Sequence, residues 1–228
     1  MLTLYTDCAL ACVRGYSLQA GRPPLAAHQT DTPLADLTPA QVTDILAAGE
    51  AAELPLHYFK RTMALARVQW ALGVLRGLQP ASLLDIGSGR GTFLWPLLDA
   101  FPDLPVTAID ADTQGAELLA AVQAGGVERL KARQANATGL PFPDRHFDVV
   151  TLLEVLEHIP DAQTALAEAV RVCERVLLVT VPSRPDDNPE HIHIFDEERL
   201  RQMLAVCGVT RVKFGGVSGH QTILAQVG

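Results

Sequence analysis

Three alternating glycines close the segment Leu83-Leu84-Asp85-Ile86-Gly87-Ser88-Gly89-Arg90-Gly91, directly after a short apolar run. Glycine takes positive φ at no steric cost and lets a ligand approach the backbone. A helix starting from such a turn leaves amide groups for an anionic ligand group. The spacing is not the GxGxxG of a dinucleotide site, because its third glycine falls on Thr92. Asp85 stands before the turn, where a carboxylate opposes a pyrophosphate and favours a ligand bearing an ammonium group. A second run, Val106-Thr107-Ala108-Ile109-Asp110, ends in an acid nineteen residues after Gly91. From that position a carboxylate accepts hydrogen bonds from both hydroxyls of a ribose. Asp112 reads as a helix cap or a solvent-facing acid. Further along, His158 can exchange a proton near neutrality. His191 and His193 share one face of an extended segment by their period-two spacing.

The elements that must position these groups follow from hydrophobic patterning. Strand-length apolar runs are expected at Ser82–Ile86, Val106–Asp110, Leu130–Ala135, Phe147–Glu154 and Arg175–Pro182. Helices are expected near 91–101, 113–124, 161–173 and 196–206. Continuous apolar strands separated by helices predict a doubly wound, mostly parallel, seven-stranded α/β sheet with helices on both faces. Ligands then sit at the strands' C-terminal ends. Val209–Phe214 and Gln221–Gln226 flank Gly215-Gly216-Val217-Ser218-Gly219 and predict a C-terminal antiparallel hairpin. Before the glycine turn, a long helix is expected from Leu56 to Leu78, with Phe59, Met63, Leu65, Ala66, Val68, Trp70, Leu72 and Leu75 on its buried face. Thr38 and Pro39 mark an earlier helix start. The first 55 residues otherwise show weak periodicity and turn signals at Gly21-Arg22-Pro23-Pro24 and Asp31-Thr32-Pro33. They are expected to form a cap or lid on a domain spanning residues 56–228.

The 228 residues are 48% hydrophobic and 19% charged, with a net charge of −8. Such a chain buries a core, and its acidity opposes capture of nucleic acid or of an anionic membrane. No basic, apolar leader opens the sequence and no long apolar run spans a membrane, so a cytoplasmic location is expected. Cys8, Cys12, Cys173 and Cys207 fit neither a disulfide framework nor a paired zinc site and read as reduced structural thiols.

Taken in order, these motifs resemble the class I S-adenosylmethionine-dependent methyltransferases of small molecules. The likeness continues through Asn136-Ala137-Thr138-Gly139-Leu140-Pro141-Phe142-Pro143-Asp144 and Phe147-Asp148-Val149-Val150 into Leu153-Glu154-Val155-Leu156-Glu157-His158-Ile159-Pro160-Asp161. It implies S-adenosyl-L-methionine as cofactor, with S-adenosyl-L-homocysteine as product. Asp85, Gly87, Ser88, Gly89 and Gly91 would hold its methionine end, and Asp110 with Ala111 its ribose. Asn136, where the family usually has an aspartate, would accept the adenine amino group through its amide oxygen. Ala137 and Leu140 would pack on the adenine, and Leu153 and Glu154 would lie beside the sulfur. The family's frequent Arg-Pro-Gly-Gly is replaced by Val172-Cys173-Glu174-Arg175, which implies a different turn.

The resemblance implies methyl transfer to a small-molecule acceptor, with oxygen or nitrogen methylation favoured, by in-line displacement. His158, His191 and His193 are the catalytic candidates on the acceptor side. His158 is equally a helix-start histidine, and the His191–His193 segment equally a solvated loop before a helix capped by Asp196. Tyr58 or Arg61 could reach the cofactor's carboxylate. Nearby Asp186, Asp187 and Glu190 lack a specific ligand spacing, so no metal is expected. A protein that binds the cofactor without transferring its methyl is the competing reading, and one using its aminopropyl group a third. A monomer or homodimer is expected.

Overall fold

The computed structural model describes residues 4–18, 32–61 and 65–228. Seven strands form one sheet: β1 Leu83–Ile86, β2 Val106–Asp110, β3 Leu130–Gln134, β4 Phe147–Leu153, β5 Cys173–Pro182, β6 Arg211–Val217 and β7 His220–Gln226. Their order is β3-β2-β1-β4-β5-β7-β6. The first five pair in parallel, while β7 runs antiparallel to both β5 and β6. In register, Leu83 pairs with Val106 on one side and with Val149 on the other.

Period-two alternation sends successive side chains to opposite faces. Leu83, Val106, Ala108, Val149 and Leu178 enter one core, with α3 Ala66–Leu78, α4 Leu94–Ala100 and α5 Thr113–Ala124. Leu84, Ile86, Ile109, Val150, Leu152 and Leu177 enter the other, with α6 Ala162–Val172 and α7 Glu197–Val206. A sheet covered on both faces needs near-continuous apolar strands, which is what made these runs legible.

Two elements differ from expectation. The helix expected over 56–78 begins at Ala66. Leu56–Phe59 is a single 3-10 turn, and Lys60 then leaves it in extended conformation to bridge Leu4. Met63 lies outside the described residues, as do the turn signals at Gly21-Arg22-Pro23-Pro24 and Asp31. The hairpin turn is also tighter than its glycines imply. Gly215 and Gly216 remain in β6 opposite Thr222 and Gln221, and only Ser218 and Gly219 stand between the strands.

The N-terminal region contributes α1 Thr6–Leu18 and α2 Pro39–Ala51. The second starts on a capping box, with Thr38 and Gln41 satisfying each other's orphan amides. The first has no polar face to advertise it: every residue from Cys8 to Gly15 is buried. It crosses α5 at contact distance. A Cβ on Gly15 would stand 1.7 Å from the Ala121 carbonyl oxygen, and one on Gly125 1.8 Å from that of Ala11. Cys8 and Cys12 are both buried on this helix, and Cys8, Cys173 and Cys207 are free thiols. Loss of water pushes the Cys8 thiol up to about 12, consistent with packing rather than reactivity.

Candidate active site

At the C-terminal ends of β1, β2 and β4 a cavity of about 650 Å³ opens. That is within the range of small-molecule sites. Its floor is the glycine turn. Gly87 has φ +71°, and a Cβ there would stand 2.7 Å from Val155 Cγ2, so the segment after β4 closes directly on the turn. Gly91 has φ +78°, and its missing Cβ leaves room for the Trp95 indole, whose Nε1 donates to the Arg90 carbonyl at 2.9 Å.

The turn's amides are used internally. Gly87 and Ser88 both donate to the Ile109 carbonyl, Gly91 to that of Ser88, and Gly89 to Asp110 Oδ2 at 2.6 Å. These four amides are therefore spent within the protein. They lash β1 to β2 and fix the turn.

Asp85 lies beneath the turn, 3% exposed, and receives hydrogen bonds from Ser88 Oγ and Thr151 Oγ1, both at 2.7 Å. Burial nonetheless raises its carboxyl to about 6, with the nearby Asp110 charge adding to the rise. A buried carboxylate held on the edge of ionisation is the environment that a ligand ammonium would relieve. Asp110 lines the cavity itself, its Oδ1 receiving the Asp112 amide at 2.9 Å. Asp112 caps α5 by accepting from the Gly115 amide.

Ala111, Asn136, Ala137 and Glu154 also line the cavity. The Asn136 oxygen already accepts from the Thr138 amide at 3.0 Å and its hydroxyl at 2.9 Å. What Asn136 leaves for a ligand is therefore its NH₂, a donor in place of the expected acceptor. Glu154 has φ +61°, rare for a residue with a side chain. Its carboxylate is held by Thr180 Oγ1 at 2.8 Å and by His220 Nε2 at 2.9 Å. His220, on the hairpin, was not singled out in the sequence. Only the pairing of β7 with β5 brings it here, opposite Pro182.

His158 lies on the cavity wall with Ile159 and Glu190. The His191 ring meets it edge-on at 4.8 Å between centroids. His193 is turned away, its Nε2 3.1 Å and 3.3 Å from the carbonyl oxygens of Ile159 and Pro160. Leu153 packs toward the core, and Gly91 opens onto a second cavity of about 470 Å³ beside Tyr58 and Arg90. Arg61 is engaged elsewhere, by Asp99 and the Leu4 carbonyl oxygen, with its guanidinium over the Tyr5 ring at 4.4 Å. Behind His158, Glu157 is wholly buried, and loss of water raises its carboxyl to about 8, with Glu154 adding to the rise.

The strand order, the glycine turn above Asp85 and Asp110 one strand over define a doubly wound domain with a cavity at its strand ends. Residues 84–176 match the family described as "Methyltransferase domain". Over this segment the chain is similar to the class I S-adenosylmethionine-dependent methyltransferase domains. The uncharacterized methyltransferase YcgJ of Bacillus subtilis (strain 168) is 33% identical over 101 residues, covering 42% of this chain and 39% of that protein. The ubiquinone biosynthesis O-methyltransferase of Paramagnetospirillum magneticum is 33% identical over 133 residues, covering 50% of this chain and 48% of that protein. The chain thus spans less than half the length of these two relatives. A crystal structure of the Bacillus YcgJ protein superposes with a TM-score of 0.56 at 23% identity, covering 66% of this chain and 70% of that one. Among the described residues, no helix is long and apolar enough to cross a membrane.

Proposed function

We propose that this protein transfers a methyl group from S-adenosyl-L-methionine to a small-molecule acceptor, at oxygen or nitrogen. The observation that carries the reading is a single cavity running from the glycine turn and Asp110 to His158. The matched domain and an O-methyltransferase among the relatives support it. When bound, the cofactor supplies a methyl already activated on a sulfonium, so the protein's work is alignment. Asp85 would answer the ammonium group and Asp110 the ribose hydroxyls. The Asn136 amide and Ala137 would meet the adenine, Asn136 as donor to a ring nitrogen. Glu154, fixed by Thr180 and His220, would border the reacting sulfur.

On the acceptor side, His158 would contact the acceptor and His191 support it, while His193 holds the loop after β5 against Ile159 and Pro160. Residues 1–55 would serve as a cap on the domain of residues 56–228. Tyr5, beside Tyr58, Arg90 and Gly91 in the second cavity, supports that role.

The test is calorimetry with S-adenosylhomocysteine and with NAD, followed by a thermal-shift and turnover screen of hydroxyl- and amine-bearing acceptors. Binding of the sulfur ligand, indifference to NAD and turnover of at least one acceptor class are expected. Tight NAD binding with no response to the sulfur ligand would overturn the reading. Cofactor binding with no turnover across the screen would favour a silent cofactor-binding protein.

A further inference from the structure

Glu157 presents an unexplained cost. Its side chain is wholly buried, and neither carboxylate oxygen has a hydrogen-bond partner among the described residues. Buried carboxylates are normally paired, hydrogen-bonded or bound to a cation. Two imidazoles stand next to it. One potential ligand atom from each of Glu157, His158 and His191 lies within 4.8 Å of the others. Around a tetrahedral ion with bonds of about 2.1 Å, ligand atoms lie roughly 3.5 Å apart, so small side-chain rotations would close the site.

The backbone is built to hold this arrangement. Glu157 and His158 sit on the 3-10 turn Leu156–His158 after β4, and His191 sits on the loop after β5. The amides of Ile192 and His193 both donate to the Glu157 carbonyl oxygen, at 2.9 and 3.3 Å, which clamps the loop to the turn. Each imidazole also has an oxygen behind it. His158 Nδ1 lies 3.1 Å from the Glu190 carbonyl oxygen, and His191 Nδ1 lies 2.9 Å from Asp186 Oδ1. The His158 contact is of the kind that orients a metal-binding histidine, whereas the buried His191 Nδ1 makes no hydrogen bond among the described residues despite the nearby Asp186.

We propose that Glu157, His158 and His191 form a divalent-cation site whose open positions face the acceptor end of the cavity. One carboxylate and two imidazoles suit zinc, manganese or cobalt better than magnesium or calcium. Three protein ligands leave room for an oxygen of the acceptor, and His158 is on the cavity wall. Cation binding stands independently; the role for the acceptor's oxygen rests on the methyltransferase reading above. His158 would then meet the acceptor through the ion.

The test uses the untagged full chain, stripped with EDTA and titrated with ZnCl₂, MnCl₂ and MgCl₂ by calorimetry. One zinc per chain is expected, with magnesium at least about a hundredfold weaker. Glu157→Gln and His191→Ala should each weaken zinc binding by about 10–100-fold or more, the loss typical of disturbing even outer contacts of a metal site. His146→Ala, an exposed histidine outside the cluster, should leave binding unchanged. Should Glu157→Gln fail to fold, His191→Ala carries the comparison. Absence of zinc binding, or wild-type affinity in His191→Ala, overturns the proposal. S-adenosylhomocysteine is titrated into the same samples. Sulfur-ligand binding without zinc binding overturns the cation site alone. Zinc binding without the sulfur ligand supports the site and overturns the methyltransferase reading.

Discussion

Asp85 carries a stability cost that its proposed role in binding would explain. Its ordinary value of 3.8 rises to about 6 in the folded chain. Between those values the folded state keeps a proton that the unfolded state has lost, so the Asp85 contribution to stability falls as pH rises through that window. Above about pH 6 the cost of the buried charge is complete. Asp85→Asn should therefore melt higher than the wild type at pH 7 and lose that advantage near pH 4, as differential scanning would record. It should also bind S-adenosylhomocysteine poorly. Wild-type affinity for that ligand should drop below pH 6 by up to about tenfold per unit, because an ammonium needs the ionised carboxylate. Asp110→Ala should weaken binding by about 10–100-fold, since hydrogen bonds to a charged acceptor contribute about 1.5–3 kcal/mol each; calorimetry checks it. On the acceptor side, His158→Ala should lower turnover by roughly 10²–10⁴-fold with the sulfur-ligand affinity nearly intact. Parallel loss of both would move His158 to the cofactor's side of the cavity.

Among the elements, α1 has the largest unadvertised role. Leu10 is 1% exposed within the core that α3, α4 and α5 also build. Leu10→Ala should destabilise the chain by about 2–5 kcal/mol in urea unfolding, the usual cost of emptying a buried leucine site. Gly15→Ala should also destabilise it, because its Cβ would overlap the Ala121 carbonyl oxygen and force α1 away from α5. An α1 variant that unfolds with wild-type midpoint would show the helix to be an accessory. The helix escaped sequence reading because it is buried on all sides, which erases the apolar stripe on which helix recognition depends. By contrast α2 was legible from Thr38 and Pro39, since capping is a local chemistry written in adjacent residues.

For the molecule as a whole, the cavity couples ligand to global stability, because its walls come from the ends of β1, β2 and β4 and from the loop after β5. A ligand present at about a hundred times its dissociation constant stabilises the folded state by about 2.7 kcal/mol. For a domain of this size that should raise the melting temperature by about 5–10 °C, measurable by a thermal shift with S-adenosylhomocysteine. A shift confined to one of two separate transitions would mean that the N-terminal helices do not fold with the sheet.

Residue types adjacent in the chain settled a good deal without any structure. Leu83–Gly91 and Val106–Asp110 specified two parallel strands, a glycine turn and an acid at each strand end, because period-two burial and positive φ are properties of neighbouring residues. The doubly wound parallel class and the closing hairpin followed from the same patterning, while the order of the strands came only from the structure. What the tertiary structure decided are contacts between residues far apart: Asp110 with the Gly89 amide, His220 with Glu154, Gly15 with Ala121, and Glu157 with His191. It also decided that the Asn136 oxygen is spent on Thr138, and that His193 faces a backbone carbonyl while His158 faces the cavity. Hydrogen bonds and desolvation depend on what comes within a few ångströms after folding, and spacing along the chain carries no record of that distance.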